Sequence, residues 1–111
     1  MAINLQAAIH AVFDNLKGRN VQLSNGIERQ FLLDDINGHY QLLHIGWDGL
    51  KPVRNILVHM DIKSDLIWVQ CDYTEYQIVD LLLEQGLTQQ QIVLAFHAPY
   101  KRQYTGFALG Q

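Results

Sequence analysis

His59 and Asp61 stand two positions apart, the spacing that places both side chains on one face of a β-strand. An imidazole beside a carboxylate can ligate a metal, and His44 is the residue that a neighbouring strand could add as a third ligand. Metal sites are normally marked by closely spaced Cys and His ligands held by outer hydrogen-bond partners, and the chain carries no such cluster. The pair is therefore expected to be a hydrogen-bonded surface or interface group, with no metal and no other cofactor. Asp48, Asp72 and Glu75 could form an acid–base set. Their neighbours point to bland roles instead: Asp48-Gly49 is turn chemistry, and Glu75 falls in the first turn of a helix, where a carboxylate favours the dipole. No nucleophile paired with a base and no glycine-rich phosphate loop accompanies them, so no catalytic residue is assigned and no enzymatic activity is expected. Cys71 is the only cysteine; it can form no internal disulfide, falls on the expected core side of its strand and suits a reducing cytoplasm. Lys101-Arg102, the one adjacent basic pair, follows His97 and lies between Tyr100 and Tyr104. Such a group could touch a phosphate backbone or stack on a base, but two charges are more simply a solvated loop.

These residues need a scaffold, and 111 residues suffice for one domain, expected to span 1–111. Hydrophobic residues make up 49% and charged ones 17%, enough to bury a core and too apolar for a disordered chain. The net charge of -3, from 8 Lys+Arg and 11 Asp+Glu, has the wrong sign for a protein that holds phosphate backbones by bulk attraction. No apolar run approaches the roughly 20 residues that span a bilayer, and the opening residues lack signal-peptide grammar, so a cytoplasmic protein is expected.

Ile3, Ala8, Ile9, Val12, Phe13 and Leu16 recur at three- and four-residue intervals and predict a helix over 2–17, stopped by a left-handed Gly18. Four β-rich runs follow at 28–35, 39–47, 53–62 and 66–71, separated by the turn residues Asp35-Ile36-Asn37-Gly38, Asp48-Gly49 and Lys63-Ser64-Asp65. Thr74 with Gln77, and Thr88 with Gln91, read as capping boxes. The first opens a helix carrying Ile78, Val79, Leu82 and Leu83 and ending at Gly86; the second opens a shorter one carrying Ile92, Val93 and Phe96. The remainder is expected to be loop, with 104–109 as an edge segment. The fold class is thus α+β: an N-terminal helix, a four-stranded antiparallel meander, and one or two C-terminal helices packed on one sheet face.

Alternation sorts the strands into two faces. Leu43, Ile45, Trp47, Ile56, Val58, Met60, Ile62, Ile67, Val69 and Cys71 are expected beneath the helices. Tyr40, Leu42, His44, Asn55, Leu57, His59, Asp61, Leu66, Trp68 and Gln70 are expected on the other side, with Tyr40, His59 and Gln70 in one row, His44 near Asn55 and Asp61 near Trp68. Aromatics and histidines beside leucine, with little lysine, match the core of a protein interface. Tyr40, His44, His59, Asp61, Trp68 and Gln70, joined by His97, Lys101 and Arg102, are the expected partner-binding residues, and a symmetric dimer is one use of such a face.

The strings HYQLLHIGWDG (39–49), HMDIKSDLIWVQ (59–70), DYTE (72–75) and IVLAFHAPYKRQYTGFAL (92–109) occur in an order and spacing that resemble the XisI family, named for the cyanobacterial fdxN element excision controlling factor. The likeness runs over about 27–109. It implies an α+β domain and an accessory role in excising a DNA element that interrupts a nitrogen-fixation operon during heterocyst development. It also implies that a separate serine-type recombinase performs the strand chemistry and that a XisH-like companion accompanies the protein. The expectation is a non-enzymatic controlling factor that acts through protein partners, with DNA contact weak or indirect. The alternative is an antitoxin-like subunit that neutralises or positions a nuclease-like, XisH-type companion.

Overall fold

A computed structural model describes residues 4–19 and 21–110. Helix α1 (Leu5–Lys17) begins where the Asn4 side chain accepts the Ala7 amide at 3.1 Å, and it buries Ala8, Ile9, Val12, Phe13 and Leu16, the stripe read from the sequence. Ile3 lies outside the described residues. Gly18 ends the helix with φ -77°, not the left-handed conformation expected, because its amide still reaches Asp14 O.

Strands β1 (Ile27–Asp34), β2 (His39–Asp48), β3 (Lys51–Lys63) and β4 (Leu66–Asp72) form the expected antiparallel meander in sequential order. Ser64 (φ 51°) and Asp65 (φ 61°) make the tight β3–β4 turn, whose two left-handed residues match the twist of the flanking strands. A fifth strand, β5 (Ile92–Leu94), pairs parallel with β4. It replaces the second C-terminal helix. The Thr88–Gln91 capping box does form, but over a single 3₁₀ turn (Gln89–Gln91), after which β-branched Ile92 and Val93 take up the open edge of β4. The expected edge segment at 104–109 is reduced to one bridge between Ala108 and Val93.

Helix α2 (Ile78–Glu84) forms as expected, though not through a Thr74–Gln77 box. Asp72 caps it instead: Oδ2 accepts the Ile78 amide at 3.0 Å, while Oδ1 accepts the Thr74 amide and hydroxyl. A short helix, α3 (Pro99–Arg102), precedes the C-terminal segment. Among the described residues no helix is long and apolar enough to cross a membrane.

Two β-bulges decide what the sheet presents on each side. Leu42 pairs with Val58 but Leu43 pairs with Ile56, so Leu57 is an extra residue in β3; His59 pairs with Cys71 but Met60 with Val69, so Gln70 is extra in β4. Each extra residue reverses the alternation. The core under α1 and α2 is built from Tyr40, Leu42, Val58, Met60, Ile67 and Val69, closed by Ile78 and Leu82. Tyr40 and Leu42, expected on the open face, are therefore fully enclosed. Leu43, Ile45, Trp47 and Ile56, expected in the core, belong to the uncovered face, and Cys71 stands opposite His59 in partial burial.

Candidate functional site

On the uncovered face His39, His59 and Gln70 converge on Asp61. His39 Nδ1 lies 2.8 Å and His59 Nε2 2.9 Å from Asp61 Oδ1, while Gln70 Nε2 donates to Oδ2 at 3.2 Å. Three strands supply the group: His39 opens β2 directly opposite Asp61 in β3, His59 precedes Asp61 by two on the same face, and the β4 bulge turns Gln70 toward them. Asp61 is the one buried charged residue among those described, at 8% exposure. Burial alone would raise its pKa, but the hydrogen bonds from His39 and His59, the charge of His59 and the Gln70 amide outweigh it and hold the carboxyl below its usual value.

His59, Asp61 and Gln70, expected from the sequence on one face, meet in the cluster. His39 is not expected from the sequence, where His44 is the candidate third ligand. His44 does pair with Asn55 as expected, but it shares the parity of Tyr40 and Leu42 and so lies on the helix side of the sheet, beside Arg29, Leu57 and Tyr76, rather than on the open face expected for it. No residue type signals His39: an unbroken ladder counted from His44↔Asn55 sets it against Met60, and only the extra Leu57 in β3 moves it opposite Asp61. Three donor atoms of His39, His59 and Asp61 lie within 4.8 Å of one another, a set that could hold a metal ion.

Trp68 pairs with Asp61 as expected, yet it is covered. Arg102 Cζ lies 5.6 Å and Lys63 Nζ 4.2 Å from its ring, and a side chain at Gly110 would strike its indole. Arg102 is held by the carbonyls of His97 (3.0 Å) and Ala95 (3.4 Å), so the basic pair does not present two free guanidinium and ammonium groups; Lys101 alone is exposed, against Tyr100. The His97 ring lies 4.7 Å from that of Phe96 in the same loop, tilted at 46° to it. The C-terminal segment thus covers the β4–β5 half of the face.

The β1–β3 half stays open. Leu32 (49% exposed), Ile56 (39%) and Trp47 (58%) stand in it, around a nearly buried Leu43 that lies outside the main core. The His39–Asp61 cluster borders this apolar strip, at a shallow depression of about 610 Å³ that also touches Leu32 and Gln41.

The fold recurs in known structures. A XisI-like protein from Anabaena variabilis superposes with a TM-score of 0.84 at 34% identity, over 93% of this chain and 94% of that one. The fdxN element excision controlling factor XisI from the same organism gives a TM-score of 0.82 at 32% identity, over 94% of each chain. No curated protein matches. The sequence pattern of the family described as XisI protein matches residues 2–109, and over that length this chain belongs to the XisI family.

Proposed function

We propose that this chain is a non-catalytic controlling factor for the excision of a DNA element, working in the cytoplasm by docking a protein partner on the open β1–β3 half of its sheet. The observation that carries the reading is the strip of Leu32, Ile56 and Trp47, large apolar side chains left in solvent on a face whose other half the chain covers for itself. The family relative named an excision controlling factor supplies the process. A net charge of -3 and an Arg102 engaged with backbone carbonyls favour contact through a protein over direct grip on a phosphate backbone. The partner we infer is the XisH-like companion, with the recombinase reached through that complex.

Coexpression of the tagged chain with such a companion tests this. The pair should copurify, and a Leu32→Glu/Ile56→Glu variant that melts like the parent should lose the companion. Undiminished copurification by that variant would sink the docking reading. So would tight binding of duplex DNA by the chain alone, with affinity falling steeply as salt rises.

A further inference from the structure

We propose that His39 Nδ1, His59 Nε2 and a carboxylate oxygen of Asp61 bind one divalent transition-metal ion of the zinc class, with its remaining coordination positions turned toward the open side of the sheet. The inference stands apart from the docking reading. Its basis is convergence: both imidazole nitrogens already aim at the same oxygen, Asp61 Oδ1, from 2.8 and 2.9 Å. Zinc bonds of about 2.0–2.1 Å at tetrahedral angles set neighbouring ligand atoms roughly 3.3 Å apart. Admitting an ion therefore requires each nitrogen to retreat from Oδ1 by about half an ångström, and the two nitrogens, which with that oxygen lie within 4.8 Å of one another, to settle at the same ligand spacing. His39 is more than half exposed and has room to do so, while Asp61 is fixed in place from behind by Gln70.

The donor set also selects the ion. Two imidazoles and one carboxylate suit zinc, cobalt or nickel, whereas calcium and magnesium take shells of oxygen. The protons balance through a change of tautomer: a neutral imidazole that donates to the Asp61 carboxylate carries its one proton on the facing nitrogen, Nδ1 in His39 and Nε2 in His59. On ligation that proton is exchanged through solvent to Nε2 of His39 and Nδ1 of His59, leaving the facing lone pair for the ion. Gln70 then acts as the outer hydrogen-bond partner that keeps a ligating carboxylate oriented, the role such amides play around bound metals. Three protein ligands leave at least one position for water or for a group brought by another molecule.

Titration calorimetry of the untagged, chelator-stripped full chain with zinc, and absorption titration with cobalt, test the assignment. The expected result is one ion per chain with a visible cobalt band. His39→Ala and His59→Ala should each weaken binding by tenfold or more, and Gln70→Leu by about tenfold. His44→Ala, outside the cluster, should change nothing. His39→Ala carries the test if Asp61→Asn fails to fold, because His39 is exposed and leaves the core untouched. Less than one ion per chain with both metals, or binding that survives in both histidine variants, overturns the proposal.

Discussion

The hydroxyl of Tyr40 donates a 2.6 Å hydrogen bond to Asp35 Oδ1, so a phenol with no exposed surface is tied to a carboxylate in the β1–β2 turn. The same carboxylate meets His10 Nε2 from α1 at 2.9 and 3.0 Å, and the Asp35 carbonyl accepts Gln6 Nε2. Helix, turn and core are joined at one residue. Burial, then the Asp35 hydrogen bond and charge, push the phenol far above its ordinary pKa; the Tyr40 and His10 hydrogen bonds lower that of Asp35.

Tyr40→Phe keeps the ring and removes the donor. Because Asp35 can be rehydrated from its solvent side, the loss should be about 1 kcal/mol, seen as a fall of about 4–8 °C in Tm. Asp35→Ala, which removes the acceptor, should also destabilise the fold, and the double variant should lose less than the sum of the two, since both changes remove the Tyr40–Asp35 hydrogen bond. Additive losses in thermal melts would mean that the pair is not energetically coupled.

Tyr40 also shows where the sequence stopped being readable. Helix α1, the four antiparallel strands, their turns and α2 follow from periodicity and turn residues that local chemistry dictates. The face of β2 does not. Leu43↔Ile56 and His44↔Asn55 pair as the sequence suggests, but counting onward by twos crosses Leu57, whose side chain looks like any other strand leucine. Nothing in residue type marks it as the extra residue, and the count beyond it assigns Tyr40 to solvent and Trp47 to the core. Gln70 repeats the problem in β4, displacing Cys71 from the expected core side while bringing an amide to Asp61. The cluster is therefore half legible: His59 and Asp61 by spacing, while His39 depends on a register that the unmarked Leu57 bulge sets.

Gly46 should tolerate no side chain. Its φ is 148°, and a Cβ there would lie 1.9 Å from the carbonyl oxygen of Gly26, which also accepts the Trp47 amide at 3.0 Å. Relief requires moving the backbone at the start of β1 against β2. Gly46→Ala should destabilise the domain by several kcal/mol, while Gly49→Ala, with nothing within 4 Å of the added carbon, should lose far less. Urea melts of the two variants compare a clash with a turn preference; equal losses would argue against the close approach.

His44 gives the fold a pH dependence of defined sign. Burial, and secondarily the charge of Arg29, lower its pKa from 6.5 in the folded chain. The unfolded chain then binds the proton more readily, so stability rises with pH through this range: the full value holds above about 6.5 and is lost as pH falls toward the folded pKa. The lowered pKa values of Asp34 and Asp35 act in a separate window, below their ordinary 3.8. Urea melts at pH 7.5, 6.5 and 5.5 (about one decade apart in proton activity) should show His44→Gln losing less stability than the parent over this range. Parallel slopes would remove His44 as the cause.

Arg102 should prove to be a structural clasp. Its guanidinium donates to the Ala95 and His97 carbonyls and covers the Trp68 ring, so it fastens α3 and the following segment over β4 and β5. Arg102→Ala removes the charged donors from two carbonyls and a cation from the indole face, worth about 1–3 kcal/mol together. The loss should be local, because the core beneath α1 and α2 does not include this segment beyond Leu94 and Phe107. In a Trp47→Phe background, Trp68 emission should shift to the red, and amides over 95–110 should exchange faster while those of β2 and β3 keep their protection. Unchanged emission and exchange would mean that Gly110 and Lys63 hold the cover without Arg102. Arg102→Lys should restore the positive charge over Trp68 but not the forked contact with two carbonyls, so it should recover the emission more fully than the exchange protection.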